Sequence, residues 1–303
     1  LTMDRVRLMT VFVAVAEEES FAGGARRLSM SPPAVTRAIA MLETRLGIKL
    51  LTRTTRHVRA TDAGLRYLDS ARRILADAEE ADEAAAGIHA APRGQLAVTA
   101  PVLFGSMFVT PAIVGYLERY PDVTLNAVFL DRVVNLLEEG LDVGVRIGEL
   151  PDSSMRAIPV GHVRRVVCAA PDYLARHGEP DEPQALTRHC IINASPVSPA
   201  SEWRFGNTSN GIAVKIQPRL NMTSNEAAIQ AALRGFGITR LISYQVSAHL
   251  VAGRLKRILA AHEPAPMPIH VLHREGREAS AKVRSFVDFL VGELRGRWGE
   301  IEI

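Results

Sequence analysis

Phe21–Leu46 reads FAGGARRLSMSPPAVTRAIAMLETRL, and the chain is organised around it. The spacing predicts two short helices joined by a tight turn. Phe21, Ala25 and Leu28 share one face of the first helix, Phe21 to Leu28, and Ser29-Met30 make the turn. Ser31 stands where an N-cap belongs, so its hydroxyl is expected to accept from an early amide of the next helix. Pro32 follows at the first helical position, where a missing N–H costs nothing. Val35, Ile39, Leu42 and Leu46 then recur at spacings of four, three and four, an apolar stripe of helical period. Pro33, Thr36, Arg37, Ala40 and Thr44 fall on the other side. A helix that buries one face and offers short side chains and an Arg on the other can enter a DNA major groove. An ordinary amphipathic helix pair has the same pattern, so the surroundings decide.

Those surroundings favour nucleic acid. Val6 to Glu18 predicts a further helix, with Val6, Met9, Phe12, Val13 and Ala16 on one face, completing a three-helix core. Gly23 and Gly24 inside a helix cost about 1 kcal/mol each relative to Ala, which points to close packing there. Gly47 ends the second helix of the pair as a C-cap. In IKLLTRTTRHVRATDAG, Arg53, Arg56 and Arg59 alternate with Thr residues on a short hairpin, a wing without acids. Residues 1–60 hold ten Lys/Arg against five Asp/Glu, whereas residues 61–91 hold three against seven. The positive charge is therefore concentrated around the helix pair, the expected footprint of phosphate contact.

From Thr61, the expected cap, a long helix runs to about Ile88. Its stripe of Leu65, Leu68, Ala71, Leu75, Ala78, Ala81, Ala85 and Ile88 is expected to be covered by a helix from a second subunit, the other reading being a helix that lies on its own domain. Ala90-Ala91-Pro92-Arg93-Gly94 marks a hinge. Beyond it strands alternate with helices: strands at 96–100, 123–130, 141–147, 155–160, 164–169, 190–193, 214–220, 237–242 and 269–273, and helices near 103–120, 131–139, 171–177, 225–234, 243–252 and 279–297. Alternation of this kind predicts an open, mainly parallel α/β sheet covered on both faces. Its strand-to-helix junctions, such as Thr99-Ala100-Pro101 and Thr223-Ser224-Asn225, are the places where α/β folds bind small ligands.

The whole pattern resembles the LysR-type transcriptional regulators over nearly the full length. The resemblance rests on VRLMTVFVAVAEEESF, SPPAVTRAIAMLETRLGIKLL, TRTTRHVRATDAG, YLERYPDVTL, DVGVRIGELPDSS and NEAAIQAALRGFGI, in that order. It implies an α/β protein with an N-terminal all-α winged helix-turn-helix (residues 1–60) and a dimerising linker helix and hinge (61–91). The remainder (92–303) is then a C-terminal effector-binding domain, a two-subdomain α/β unit like periplasmic binding proteins. Subdomain I is placed at 92–162 and 268–303, and subdomain II at 163–267. By the resemblance, DNA contacts fall on Ser31, Pro32, Pro33, Thr36 and Arg37, with Arg53, Thr54 and Arg56 in the wing. Pro33 stands where Ser is common, which removes a hydroxyl, and Leu51 replaces a usual Phe. The effector cleft maps to Ala100, Pro101, Val102 and Leu103, Arg146, Asn193, Trp203, and Thr223, Ser224 and Asn225. Pro101 and Leu103 are apolar where hydroxyl residues are frequent. Arg146 fits a ligand anchor or a structural partner of Glu149 or Asp152, and Trp203 fits core or platform. Two helix starts converging on one cleft would favour a small carboxylate with an apolar or aromatic body, the other reading being that Ser224 and Asn225 only cap their helix.

Composition bounds the alternatives. The chain has 303 residues, 47% apolar and 23% charged, suited to two or three globular domains. No apolar run approaches the length of a membrane span and no leader-like basic and apolar pair is present, so no membrane contact and a cytoplasmic location are expected. Cys168 and Cys190, the only cysteines, sit in apolar runs and read as buried free thiols. No G-x-S-x-G elbow, H-E-x-x-H or Walker loop appears, and no catalytic constellation, metal or cofactor is expected. The reading is a sequence-specific regulator that binds double-stranded operator DNA with dyad symmetry as a homodimer or homotetramer. A small-molecule effector controls it, and RNA polymerase is a further possible partner. The rival is a cytosolic solute-binding or enzymatic α/β protein whose N-terminal helices serve only in assembly.

Overall fold

The computed structural model describes residues 4–53, 58–85, 91–150, 155–194, 202–206, 211–274 and 280–297. The chain forms two compact units, Leu1–Gly94 and Gln95–Ile303. In the first, α1 (Arg5–Glu17), α2 (Phe21–Arg27) and α3 (Pro32–Leu46) precede a hairpin, β1 (Leu51–Arg53) with β2 (Val58–Ala60), and α4 (Asp62–Ala85). Leu8, Met9, Phe12, Val15, Val35, Ile39 and Leu42 are buried in one core. Each large side chain removed from water there contributes about 1.5–3 kcal/mol. The Ser20 hydroxyl accepts from the Gly23 amide at 3.1 Å and starts α2. Gly24 is needed for contact: a Cβ there would stand 2.7 Å from Val15 Cγ2 and 3.1 Å from its Cα. Gly47 caps α3 at φ 67°.

Thr61 starts α4 by accepting the Gly64 amide at 2.9 Å. A Cβ on Gly64 would lie 2.0 Å from the Leu50 carbonyl oxygen, so the helix meets the hairpin through that glycine. The apolar stripe of α4 divides differently from expectation. Leu68 and Ala71 are buried in the three-helix core, with Leu75 packed against it. Among the described side chains of α4, Leu65 and Ile74 are large apolar residues left exposed, at 53% and 44%; those of Ala81 and Ala85 lie outside the description. The first turns of α4 therefore complete their own domain. Ile88 lies outside the described residues.

The second unit begins with β3 (Gly94–Ala100), α5 (Val102–Phe104), a π turn (Gly105–Val109) and α6 (Thr110–Arg119), then β4 (Val123–Phe129), β5 (Val143–Ile147) and β6 (Met155–Val163). It continues through β7 (Arg165–Ala169), α7 (Pro171–His177), β8 (Ile191–Ala194), β9 (Glu202–Phe205), β10 (Ile212–Lys215), β11 (Pro218–Met222) and α8 (Asn225–Leu233). It ends with β12 (Ile238–Ile242), α9 (Ser243–Val251), β13 (Lys256–Ile258), β14 (Met267–Arg274) and α10 (Ala281–Gly296). In place of one mainly parallel sheet there are two five-stranded mixed sheets, ordered β4-β3-β5-β14-β6 and β11-β8-β12-β7-β13. In the first, β3 and β5 run parallel, while β14 is antiparallel to both β5 and β6. In the second, β8 is parallel to β11 and β12, and β7 is antiparallel to β12 and β13. The chain leaves the first sheet after β6 and returns to it at β14.

Residues 214–220 form parts of two strands, β10 and β11, rather than one. The helix expected at 131–139 does not form. Val134 and Leu136 alternate onto the first sheet, in a cluster with Ala97, Leu141 and Leu272. Asn135 turns the segment locally, accepting from the Leu137 amide at 3.0 Å and donating to Glu138 at 2.9 Å. Arg132 clamps Glu139 through two bonds of 2.6 and 2.9 Å. Cys168 is buried as expected, and burial pushes its thiol up to about 12. Cys190 is only half-buried.

Candidate nucleic-acid interface and effector cleft

Helix α3 presents two distinct faces. Val35, Ala38, Ile39 and Leu42 are buried, whereas Ser31, Pro32, Pro33, Thr36, Arg37, Ala40 and Thr44 are exposed. Ser31 is the cap residue, but its hydroxyl takes no amide. Pro32 and Pro33 have no N–H to offer, and the amides of Ala34 and Val35 both go to the Ser31 carbonyl, at 2.9 and 3.1 Å. The hydroxyl is left facing solvent, contrary to the capping role expected for it. The wing hairpin has the register Leu51↔Ala60, Thr52↔Arg59 and Arg53↔Val58. Arg59 is exposed on it. Thr54 and Arg56 lie outside the described residues.

One residue that fixes this geometry gives no signal in the sequence. Glu43 points from the buried face of α3 into the start of the hairpin and is 7% exposed. It accepts the Leu50 and Leu51 amides at 2.9 and 3.2 Å and the Lys49 ammonium at 2.6 Å. Burial pushes its carboxyl up, but the bonds from Lys49 and from the Leu51 and Leu50 amides outweigh this and hold it below the usual glutamate range. The helix and the wing are thereby fixed to each other through a single carboxylate.

In the second unit, β3 ends at buried Ala100, and half-buried Pro101 leads into exposed Val102. The Val102 amide donates to the Asp131 carboxylate at 3.0 Å. The chain's own acid thus takes the backbone donor that was expected to face a ligand. Leu103 packs against both the core of the first sheet and that of the second. Next to it, the Phe104 and Tyr244 rings meet edge to face at 5.3 Å. Arg146 lies near the end of β5 and forms no ion pair with Glu149. Its Nη1 donates to the Val145 carbonyl at 2.9 Å, and its Nη2 is buried without a partner among the described residues. Burial lowers its pKa. Asp152 lies outside the described residues.

Asn193 and Thr223 to Asn225 come together at the ends of the parallel strands β8 and β11. Asn193 is 3% exposed, and its Nδ2 donates to Asn221 Oδ1 at 3.2 Å. Ser224 caps α8, accepting the Ala227 amide at 3.2 Å. Thr223 is exposed and Asn225 half-buried. Trp203 does not join them. It is 2% exposed, in a core with Val167, Ile191 and Ile238. Helix α8 packs with Val166, Ile192 and Leu241, which alternate with those residues and face the other side of the sheet. Trp203 is therefore core rather than platform.

A capped three-helix head with an Arg-bearing outer face and a wing, carried on a chain with a two-sheet α/β domain, defines a DNA-binding regulator with a small-molecule domain. Residues 6–65 match the family described as bacterial regulatory helix-turn-helix protein, lysR family, and residues 89–295 match the LysR substrate binding domain. The chain belongs to the LysR family of transcriptional regulators. It is 33% identical over 287 residues to the HTH-type transcriptional regulator CrgA of Neisseria meningitidis serogroup B, covering 94% of this chain and 96% of that one. To the HTH-type transcriptional regulator DmlR of Escherichia coli K12 it is 31% identical over 283 residues, covering 93% and 92%. The solved structure of CrgA superposes with a TM-score of 0.61 at 32% identity, covering 97% of this chain and 99% of that one. These relatives are regulators, not enzymes. No described helix is long and apolar enough to cross a membrane.

Proposed function

We propose that this protein reads a dyad-symmetric operator in double-stranded DNA and that a small anionic effector alters how its heads are set on it. Ser31, Pro32, Pro33, Thr36 and Arg37 would face the major groove, and Arg53, Thr54 and Arg56 the adjacent backbone. The observation that carries this reading is the outer face of α3. Its Ser31 hydroxyl is unused, and Arg37 is exposed without an ion pair among the described residues. The linker segment 61–91 would join two copies, as a homodimer or within a homotetramer, through Leu65, Ile74 and the residues that follow. The domain bounds 1–60, 61–91 and 92–303 belong to the same reading, as do a cytoplasmic location and contact with RNA polymerase.

The effector would lie among Ala100, Pro101, Val102, Leu103, Arg146, Asn193, Thr223, Ser224 and Asn225. Asp131 and Ser224 already answer one amide at each helix start, so the helix ends supply less attraction than two open N-termini would. A carboxylate is favoured instead by Arg146, whose buried Nη2 has no partner among the described residues. Effector binding acts by a difference in affinity between two assembly geometries. Footprinting on the DNA flanking the protein's own gene tests the main claim. Protection of two half-sites about one helical turn apart is expected, and uniform coating of any DNA would overturn it.

A further inference from the structure

On the face of the second sheet that carries Trp203, two arginines stand side by side without an acid. Strands β7 and β12 pair with Arg165 opposite Ile242 and Val167 opposite Arg240. Arg165 and Arg240 are therefore diagonal neighbours on one face, a relation in which long side chains reach each other. The Arg240 guanidinium lies over the Trp203 ring at 4.9 Å from its centroid and 5.9 Å from that of Phe205. Its Nη1 donates to the Arg204 carbonyl at 3.1 Å. The head group is thus fixed in direction by a stacked ring and a backbone oxygen. Burial, and then the charge of Arg165, lower Arg240 to about 9.

No carboxylate compensates this pair among the described residues, and the sequence explains why. Between residues 183 and 262 there are nine Lys/Arg and only two acids, Glu202 and Glu226. Glu202 is bound to Arg204 at 3.0 Å. Glu226 lies in the first turn of α8, the helix covering the opposite face. Glu263, the next acid along, is held by both ends of the Arg257 guanidinium. The undescribed stretches flanking β9, residues 195–201 and 207–210, contain no Asp or Glu. Two like charges held together with one of them desolvated oppose folding. They suit an oxyanion that arrives from solution.

We propose that Arg165 and Arg240 form an anion-binding subsite of the effector domain, taking a carboxylate or phosphate oxygen pair. It lies where β7 begins and β12 ends, and β8, parallel to β12, runs out at the same end with Asn193. The inference rests on the effector-binding reading of this domain but not on Arg146. A ligand with one anionic group would use either position, and a longer one with two would use both.

The test measures thermal stabilisation of the full chain by acetate, benzoate and inorganic phosphate at fixed ionic strength, with chloride as the balance. Wild type, Arg165→Gln, Arg240→Gln and Arg146→Gln are compared. At least one oxyanion is expected to raise the melting temperature of wild type, with apparent affinity at least tenfold weaker in Arg165→Gln and in Arg240→Gln. Without anion both variants should melt no lower than wild type, since a repulsion has been removed. Whether benzoate or phosphate is preferred separates the two sources of the oxyanion. An anion response kept in both variants overturns the subsite, and a lower melting temperature with the response intact makes Arg240 only a support for the β9–β10 hairpin. Loss in Arg146→Gln alone leaves the cleft reading standing without this subsite. Loss in Arg165→Gln and Arg240→Gln alone does the reverse.

Discussion

Replacing Glu43 with Ala removes the carboxylate that joins α3 to the wing. The cost follows from its partners. Lys49 is 78% exposed, so its ion pair contributes little. The Leu50 and Leu51 amides are buried at this contact and share one carboxylate oxygen. A buried amide left without an acceptor costs about 1–3 kcal/mol. Allowing for the shared oxygen and some entry of water, the loss is about 2–4 kcal/mol. In a unit of fewer than 100 residues each kcal/mol moves the melting temperature by about 4–8 °C, so a fall of about 8–30 °C is expected for the first unit. Calorimetry of the full chain measures it, and Glu43→Gln, which keeps an acceptor oxygen, should lose less. A fall under about 3 °C for Glu43→Ala, well below this scale, would refute the reasoning, because the amides would then have an adequate alternative partner.

The same carboxyl makes the first unit sensitive to acid. Its folded pKa is lowered, so its contribution is complete above the unfolded value of about 4.3 and disappears as pH falls through the folded pKa. Glu43→Gln should flatten that limb of the stability curve, and an identical limb in both proteins would assign the acid sensitivity elsewhere. Arg37→Ala should cost about 1–3 kcal/mol against the specific operator and less against random DNA; equal losses in a titration at fixed salt would make Arg37 a phosphate contact. Arg53→Ala and Arg56→Ala should each flatten the slope of log K against log salt by about one unit, and an unchanged slope removes the wing from the interface. Leu65→Glu or Ile74→Glu should dissociate the oligomer in sedimentation while the head stays folded, whereas Leu68→Glu should unfold the head itself, since Leu68 is 8% exposed in its core.

The head was legible because its signals are local. Val35, Ile39 and Leu42 announce a helix by spacing, Gly47 ends it and Thr61 starts the next. The failures come from interactions that no short window contains. Strand β14 arrives from the far end of the chain to lie between β5 and β6, and its antiparallel pairing overrides the parallel sheet suggested by alternation. Val134 and Leu136 look helical among their neighbours but are buried from an irregular segment against Ala97, Leu141 and Leu272. Glu43 and Asp131 are ordinary acids in sequence, and only tertiary contact shows that each takes backbone amides. Trp203 and Arg240 are 37 positions apart by their numbering, so their stacking could not be read in advance.

The paired prolines at the start of α3 have a consequence for discrimination. A helix usually opens with several backbone N–H groups free to hold a phosphate, whatever the base sequence beside it. Here the first two positions carry ring carbons instead, and the amides of Ala34 and Val35 are both turned to the Ser31 carbonyl. A phosphate approaching this end meets the dipole of the helix and the Ser31 hydroxyl but no backbone N–H to grip. Attraction that is indifferent to sequence is thereby reduced at the place where the helix would enter the groove. A serine at position 33 would restore one amide and one hydroxyl together, raising affinity for every DNA and narrowing the gap between the right sequence and the wrong one.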